Sequence, residues 1–373
     1  SNSSGNGGYD VYLAKTDKNG AMQWSKTYGG SDWDFGNSII RTLNGDYVIC
    51  GSTYSYGNGN EDVYLLKTDS NGILLWDSAF GGTSEDAGSS VSESTDSGYF
   101  ITGTTKSFGQ GNEDIYLFKT DSNGNLQWTK TYGGTGEDTG SEGKQTTNSG
   151  YVVIGTTKSF SSTNRYEYWL LKTNSSGDTV STLREEQSYN THGKSICQTL
   201  DGGYIFGGHT DVVGNYDMYL YEINGGGWQT GYKNCGGLYL ENAFSVKQTF
   251  DSGYVIVGIT ESYGAGEPNI YVLKTGNDLQ STGNVVIVVG TEENELSNNK
   301  IFLYPNPASD YIIANADINS VLEIYDSMGR SVSINQLVKG DNLIPLSYLA
   351  EGIYFALVRN EGYAASAKII IRH

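Results

Sequence analysis

The chain has few of the residues on which disulfide frameworks, metal sites and helical cores depend. Its 373 residues include only 4 prolines, 3 methionines, 3 histidines and 3 cysteines. Cys50, Cys197 and Cys235 follow no common spacing, which argues against a disulfide framework and a paired-cysteine zinc site. Since free cysteine is among the most buried residue types, we expect buried thiols at these three positions.

A basic surface and a long apolar run are missing as well. With 42 acidic and 23 basic residues the net charge is −19, which disfavours binding to nucleic acid and to anionic lipid. The longest apolar run, residues 285–289, is far shorter than the ~18 residues of a membrane span. No signal peptide is recognisable at Ser1, so we expect a secreted form of the protein to begin after processing.

Glycine and tyrosine are abundant instead, with 51 and 29 residues, a bias that favours short strands joined by tight turns. Residues 113–140, EDIYLFKTDSNGNLQWTKTYGGTGEDTG, recur in similar form at 61–88 and at 9–36, spaced by 52 residues. Degenerate copies begin at Tyr166, Tyr216 and Asn269. Repeats of this length bury their apolar faces against their neighbours.

Each repeat contains four predicted strands. In one copy they span residues 86–95, 98–105, 114–121 and 126–133. The dipeptide Asn123-Gly124 lies between the last two strands and predicts a hairpin turn in which both residues have positive φ. Four antiparallel strands per repeat of about 50 residues are typical of a β-propeller blade. The sequence therefore predicts an all-β propeller over residues 1–276.

Large aromatic residues recur at two positions of the repeat. We expect them to fill the wedge between adjacent blades, because such side chains bury large areas. The first position opens the second strand, and the other lies in the fourth strand. They are occupied by Tyr47, Tyr99, Tyr151, Tyr204 and Tyr254, and by Trp24, Trp76, Trp128 and Trp228.

The recurring series GG, Asp-x-Gly-x-Ser, DSGYVIxGTT and DxYLLKTDxxG, found between Tyr9 and Thr275, resembles the SBBP-type bacterial β-propeller repeat. This resemblance implies a propeller scaffold and no particular activity. The array begins before a third strand and ends after one. Either five blades close, with the strand of Trp24 completing the last, or further repeats precede Ser1 and give six or seven blades; we favour the second explanation, since a propeller hides its strand edges by closure.

The repeat ends before an acidic, Asn-rich stretch, which indicates a linker over residues 277–300. Residues 285–289 could add an edge strand to either neighbour. From residue 301 a different pattern of short alternating strands begins. It has turns at Pro305-Asn306-Pro307, at residues 327–329 and at Glu351-Gly352. Some seventy residues of this kind predict a small immunoglobulin-like β-sandwich.

Four ordered motifs of the tail resemble the type A C-terminal sorting domain of the Bacteroidetes type IX secretion system. They are YPNP from Tyr304, DSMGR from Asp326, Leu349 with GIY from Gly352, and the terminal KIIIR from Lys368. The resemblance implies export across the outer membrane, and recognition of residues 301–373 by the translocon and its shuttle barrel. It also implies removal of the domain by a sortase, with attachment of the cargo to surface lipopolysaccharide. The implied signal residues are Pro305, Asn306, Pro307, Gly329, Arg330, Gly352, Tyr354 and Lys368.

Acidic residues recur at one position of the repeat, at Asp34, Asp86 and Asp138. Around a propeller axis these carboxylates could converge on a cation such as Ca²⁺. The alternative, which we favour, is that each caps its own turn through backbone N–H groups. Thr191 and Asn242 are aligned with this position in the fourth and fifth copies and would interrupt a ring of carboxylates. We therefore expect no cofactor.

Candidates for catalysis are few. His192 and His209 lie with Asp211 in the irregular fourth copy, and a histidine beside a carboxylate can act as a general base. No nucleophile motif such as GxSxG accompanies them, so a surface or loop role is favoured and no catalytic residue is assigned.

Aromatic residues in the loops between second and third strands are the stronger candidates for binding. Equivalent loops of a propeller share one face, where aromatic side chains can stack on sugar rings or contact a protein. The alternative is that each aromatic residue plugs the neighbouring blade. The candidates are Tyr54, Tyr56, Phe108, Phe160 and Tyr263.

The sequence as a whole predicts a secreted, surface-delivered β-propeller that acts as a binding or adhesion module for a glycan or protein. Two alternatives stay open: a hydrolase or lyase with its site in the central cleft, and a structural component of the surface.

Overall fold

All regular structure in the described residues is β-strand. The computed structural model describes residues 7–212, 215–263, 268–279, 302–316, 319–326, 330–360 and 363–372. The chain divides into two compact units, one formed by residues 1–262 and 274–282 and the other by residues 263–273 and 283–373. The predicted linker, residues 277–300, lies almost entirely outside the described residues, as does the strand considered at 285–289.

Four antiparallel sheets of four strands each form most of the repeat region. Their strands are hydrogen-bonded in chain order. The strands of the first two sheets are β3 (Asp34–Arg41), β4 (Tyr47–Thr53), β5 (Asp62–Thr68), β6 (Leu74–Phe80), β7 (Asp86–Glu93), β8 (Tyr99–Thr105), β9 (Asp114–Thr120) and β10 (Leu126–Tyr132). Those of the next two are β11 (Asp138–Gln145), β12 (Tyr151–Thr157), β13 (Glu167–Thr173), β14 (Thr179–Leu183), β15 (Thr191–Gln198), β16 (Tyr204–Val212), β17 (Asn215–Ile223) and β18 (Gln229–Cys235). The fold is all-β with repeated blades of the propeller type, as the repeat predicts.

Shorter sheets stand at the two ends of this series. One contains β1 (Val11–Thr16) and β2 (Met22–Tyr28), and the other contains β19 (Glu241–Gln248), β20 (Tyr254–Thr260) and β21 (Asn269–Thr275). β2 pairs with β1, so within the described residues the strand of Trp24 does not complete the last sheet.

The main chain joins consecutive sheets at equivalent places. In β7, β11 and β15, the first strands of their sheets, the N–H of the first residue donates to the carbonyl of the residue just before the third strand of the preceding sheet. The distances are 2.7 Å from Asp86 N to Glu61 O, 2.8 Å from Asp138 N to Glu113 O and 2.8 Å from Thr191 N to Tyr166 O. These bonds use no side chain.

A glycine in each second strand is required by a bulge in the first. Between Gly88 and Ser90 the pairing of β7 with β8 shifts by one residue, which brings the Ala87 carbonyl toward Gly103. A Cβ placed on Gly103 would lie 2.2 Å from that oxygen. No larger residue fits there, which explains the glycine of the GTT motif.

The hairpins between third and fourth strands differ from the predicted two-residue turn. Gly124 has a φ of 83°, whereas Asn123 is not among the residues with positive φ. Gly124 N donates to Asp121 O at 3.2 Å, and Asp121 Oδ1 accepts from the N–H groups of Asn123 and Asn125. The turn is therefore one residue longer, with a bulge glycine at its end, and the aspartate side chain closes it.

The aromatic wedge is confirmed at three of its four tryptophans. Each packs against the second-strand tyrosine of the next sheet. The ring centroids are 6.2 Å apart for Trp24 and Tyr47, 6.0 Å for Trp76 and Tyr99, and 5.7 Å for Trp128 and Tyr151.

The placement of Trp228 in this series was wrong. The register pairs Glu222 with Gly231, as it pairs Lys67 with Trp76. Gly231 therefore holds the wedge position, whereas Trp228 lies in the turn before β18 and is 76% exposed. A Cβ on Gly231 would meet the buried Leu279 side chain at 2.7 Å, so an aliphatic residue fills this wedge.

Burial of the cysteines agrees with expectation at two of three positions. All three are free thiols, with Cys50 and Cys235 buried and Cys197 half-buried. Burial raises the pKa of Cys50 and of Cys235 to about 12, so both thiols stay protonated at neutral pH.

The tail consists of two sheets around one apolar core. Its strands are β22 (Phe302–Tyr304), β23 (Tyr311–Ala316), β24 (Ser320–Asp326), β25 (Ser331–Leu337), β26 (Gly340–Pro345), β27 (Gly352–Asn360) and β28 (Tyr363–Ile371). The sheet orders are β22-β23-β26 and β25-β24-β27-β28. Ile312, Leu322, Ile344, Ala356 and Ile369 are buried in this core. The alternating pattern thus predicts the strands, while the immunoglobulin-like type stays a prediction.

Candidate functional site

The five candidate aromatic residues are about two-fifths exposed, and they lie on equivalent loops. These loops join β4 to β5, β8 to β9, β12 to β13 and β20 to β21, at the same end of each sheet. Exposed fractions are 37% for Tyr54 and Tyr263, 42% for Tyr56 and Phe160, and 43% for Phe108. The loops thus present a ring on each of these sheets.

Four of these rings are held against an aromatic residue of the third strand in the same sheet. The centroid distances are 5.7 Å for Tyr56 and Tyr64, 5.7 Å for Phe108 and Tyr116, 5.2 Å for Phe160 and Trp169, and 5.6 Å for Tyr263 and Tyr271. This packing fixes the ring planes before any ligand arrives.

The same rings also cover glycines of the preceding repeat. Tyr56 Oη donates to Gly29 O at 3.0 Å, and a Cβ on Gly82 would lie 3.1 Å from Phe108 Cζ. The plugging role considered from the sequence is therefore present. Tyr56 and Phe108 nevertheless remain about two-fifths exposed.

A cleft of about 430 Å³ lies beside Phe108. Phe80, Phe108 and Tyr116 form its aromatic lining, and Thr129 and Lys130 contribute polar groups. An aromatic surface with hydroxyl and amine donors at its border suits ligands that have both apolar and hydroxyl faces.

Sequence reasoning missed a second aromatic cluster near Tyr54. Trp33 is half exposed, and its ring centroid lies 6.1 Å from that of Tyr54 and 6.0 Å from that of Tyr9. Trp33 occurs in one copy of the repeat only, so the comparison of copies gave no signal for it. A cleft of about 330 Å³, lined in part by Tyr9, Tyr12 and Phe35, lies close by.

The repeated aspartates are buried, and each accepts hydrogen bonds from its own loop. Asp34 Oδ2 accepts from Gly30 N and Ser55 Oγ, both at 2.8 Å. Asp86 Oδ2 accepts from Gly82 N at 2.7 Å and Ser107 Oγ at 2.6 Å. Asp138 accepts from Gly134 N at 2.9 Å and from the hydroxyls of Thr157 and Ser159. In the described residues no three metal-ligating side chains come together, so a carboxylate ring is not formed there.

The alignment of the fifth copy was wrong at this position. Glu241 pairs with Thr260 as Asp86 pairs with Thr105, and its carboxylate accepts from Gly237 N at 2.7 Å and Thr260 Oγ1 at 2.6 Å. The fifth copy therefore keeps a carboxylate here, one residue before Asn242.

The two histidines of the fourth copy stack on each other. Their ring centroids are 4.6 Å apart at an interplanar angle of 22°. Burial, with a contribution from Lys194, lowers the pKa of His192 to about 4; burial, then His192 and Lys194, lowers that of His209 to about 3. Asp211 accepts from the Asn190 backbone N–H at 2.6 Å and from the Asn190 amide. The pair is thus a neutral stack at physiological pH, in which His209 is buried and His192 is half-buried.

The signal residues of the tail make separate hydrogen bonds within the sorting domain, and one of them, Asn306, contacts the last strand. Asn306, between the two prolines, bonds to the main chain of β28 at Lys368 and Ile370. Arg330 binds Asp326 at 2.7 Å across the turn, and Tyr354 Oη donates to Ala350 O at 2.9 Å. Gly352 opens β27, whereas Gly329 lies outside the described residues.

One family model matches the chain. Residues 302–372 match the family described as the secretion system C-terminal sorting domain. The tail is a secretion-system sorting domain. This sorting domain marks a protein that the type IX system exports to the cell surface. Among the described residues, no helix has the length and apolar character needed to cross a membrane.

Solved structures with similarity to the chain have low sequence identity. PorZ, a surface component of the type IX secretion system of Porphyromonas gingivalis, is 10% identical, with 90% of this chain and 51% of that chain covered and a TM-score of 0.38. A puromycin hydrolase mutant is also 10% identical, with 82% and 46% covered and a TM-score of 0.47. The chain thus spans about half the length of each. No curated protein matches the chain.

Proposed function

We propose that the repeat region is a binding or adhesion module displayed at the cell surface, which recognises glycans through the aromatic loops at one end of its sheets. The observation that supports this proposal is the set of partly exposed rings, each fixed against a third-strand aromatic residue. Aromatic rings stack on the apolar faces of sugars, and their fixed orientation lowers the entropy cost of binding.

The cleft beside Phe108 is the favoured position for one sugar unit. Phe108 and Tyr116 would supply the stacking surface, while Thr129 and Lys130 would donate to hydroxyl groups. The acidic character of the chain, with a net charge of −19, favours neutral over anionic glycans.

The proposal is tested with a glycan array probed by the purified protein and by the double variant Tyr56→Ala/Phe108→Ala. We expect the double variant to lose most of the signal. The matched control is Phe250→Ala, since Phe250 is fully exposed in a turn at the opposite end of its sheet and its loss should leave binding unchanged. Equal signals from the wild type and the double variant would contradict the proposal.

We further infer that the repeats are of the SBBP type, that the organism belongs to the Bacteroidetes, and that the translocon and its shuttle barrel recognise residues 301–373. The motifs shared with these families support the inference, as does the match of the sorting domain. Deleting residues 301–373 should retain the protein in the periplasm. The test is surface labelling of whole cells that carry this deletion. Surface labelling equal to that of the wild type would refute this role.

A further inference from the structure

Acidic residues from consecutive sheets meet at equivalent positions of the repeat. One member stands at the start of a third strand, and the other, 24 residues later, begins the first strand of the next sheet. The pairs are Asp10 with Asp34, Asp62 with Asp86, Asp114 with Asp138, and Asp217 with Glu241. From the sequence alone, only the second members of the first three pairs stand out as candidate ligands.

A glycine makes room for each of the first three pairs. A Cβ placed on Gly81 would lie 1.9 Å from Asp62 Oδ1 and 2.6 Å from Asp86 Oδ2. On Gly133 it would lie 2.0 Å from Asp114 Oδ1 and 2.6 Å from Asp138 Oδ2. Oxygens of two carboxylates therefore border the same small space, which a side chain at the glycine would fill.

A carboxylate oxygen that borders the space at Gly81, Asp62 Oδ1, has no hydrogen-bond partner. Asp62 is 1% exposed, and while its Oδ2 accepts from Asn58 N and Gly59 N at 2.9 Å, its Oδ1 has no partner. Asp86 is fully buried; its Oδ2, which borders the same space, accepts from Gly82 N and Ser107 Oγ, and its other oxygen, Oδ1, has no partner. Asp217 Oδ1 is unpartnered in the same way, 1.9 Å from a Cβ on Gly236. Buried carboxylates are costly unless a positive charge compensates them.

The fourth copy shows how the chain compensates such a charge. There Thr191 replaces the second carboxylate and Glu167 occupies the place of Asp62. Arg184 Nη1 binds Glu167 Oε2 at 2.9 Å. In the described part of the chain, no lysine or arginine forms an ion pair with Asp62 or Asp86. The protein thus supplies a cation at Glu167, where one carboxylate stands, and forms no such ion pair among its described residues at Asp62 and Asp86, where two stand.

We propose that a hard divalent cation of the calcium class binds between consecutive sheets, held by carboxylate pairs such as Asp62 with Asp86. The oxygen-only ligand set excludes preference for zinc or copper. Calcium accepts about six to eight oxygens in flexible geometry, so water or main-chain oxygens can complete a site with two carboxylates. Extracellular modules bind it with dissociation constants of about 0.1 to 1 mM, which suits a protein exported to the cell surface. The ion would fasten one repeat to the next.

The test uses the full chain, with calcium chloride as the probe. Thermal unfolding is followed in 5 mM EDTA and in about 5 mM calcium, a concentration chosen to exceed the expected dissociation constant. We expect calcium to raise Tm by about 4 °C or more in the wild type. Asp86→Asn keeps the shape and the acceptor oxygen but removes the charge, and it should reduce this rise. After equilibrium dialysis, the Asp86→Asn variant should bind about one calcium ion per chain fewer than the wild type.

Asp310→Asn is the control for nonspecific binding to an acidic chain, since Asp310 is exposed in the sorting domain. It should keep the full calcium response. Equal Tm values of the wild type in EDTA and in calcium would overturn the proposal, and this comparison needs no variant to fold. Asp62→Asn and Asp86→Asn could instead raise Tm to the same extent in both buffers. The pair would then share a proton and hold no cation, which also overturns the proposal.

Discussion

Asn306 and Lys368 are joined across the sorting domain, where Asn306 Nδ2 donates to the Lys368 carbonyl at 2.6 Å. The other atom of the same amide, Oδ1, accepts from Ile370 N at 2.9 Å. Ala308 continues this contact, since its N–H donates to Ile370 O at 2.7 Å and its carbonyl accepts from Arg372 N at 2.8 Å. One asparagine side chain thus substitutes for a strand partner along the outer edge of β28.

Replacing this asparagine should therefore loosen the end of the chain. We expect Asn306→Ala to lower the free energy of unfolding of the sorting domain by about 1 to 3 kcal/mol, because it leaves two main-chain groups of β28 without a partner. Urea unfolding of the full chain measures the effect, and cell-surface labelling measures its consequence for export. Lys339→Ala, at an exposed position, is the control. Full stability of Asn306→Ala would show that the amide contributes nothing.

The aromatic wedge predicts unequal effects of two tryptophan substitutions. Trp76→Ala should lower the free energy of unfolding by about 2 to 4 kcal/mol, since it removes the ring packed on Tyr99. Trp228→Ala removes the same side chain from an exposed turn and should change stability by less than about 0.5 kcal/mol. Both variants are compared by urea denaturation. Similar losses would contradict the corrected register of β18.

The turns between first and second strands predict a stabilising substitution. Ser97 has a φ of 63°, and the equivalent position of the preceding sheet is Gly45 with a φ of 90°. Left-handed conformations are costly for residues other than glycine. Ser97→Gly should therefore stabilise the folded protein by about 0.5 to 1 kcal/mol, a gain that is reduced by the extra entropy glycine gives to the unfolded chain. Gly45→Ala should destabilise by a comparable amount. The midpoints of thermal unfolding test both, and a lower Tm for Ser97→Gly would refute the reasoning.

The lowered pKa values of His192 and His209, caused mainly by burial, predict a loss of stability in acid. Their pKa values in the folded state, about 4 and about 3, lie below the ordinary value of about 6.5 for an exposed histidine. Between pH values of about 3 and about 6.5 the unfolded chain binds more protons than the folded one. The contribution of the two histidines to the free energy of unfolding is therefore fully present above about pH 6.5 and is lost as the pH falls toward about 3.

The variant His192→Gln/His209→Gln provides the comparison for this effect. Between pH 7.5 and 4.5 its Tm should fall less than that of the wild type, in which each of the two imidazoles contributes at most about 2 to 3 kcal/mol over this range. Parallel curves for the two proteins would show that other groups cause the acid sensitivity.

The strands and the sorting domain could be predicted from sequence because their signals are local. Alternation, turn residues and a 52-residue period specify where each strand begins, and YPNP and KIIIR are contiguous motifs. The errors at Trp228 and at Asn242 have one cause: divergent copies shift the chain by one to three residues, and only the hydrogen-bonded register shows which residue faces the neighbouring sheet.

The pairing of Asp62 with Asp86 could not be predicted from the repeat pattern. Each residue repeats, yet their meeting depends on how one sheet packs on the next, which a comparison of copies does not contain. Trp33 escaped notice for the opposite reason, since it occurs once, and a search for repeats passes over unique residues.

The main-chain bonds between consecutive sheets, such as Asp86 N to Glu61 O, have a consequence for how this protein can change over generations. Because these bonds join peptide groups, a duplicated copy can form them without a particular side chain at the two bonded positions. The number of repeats can therefore change by gene rearrangement. Individual copies can also diverge in sequence, as the fourth copy has, while the main-chain bonds between sheets are kept.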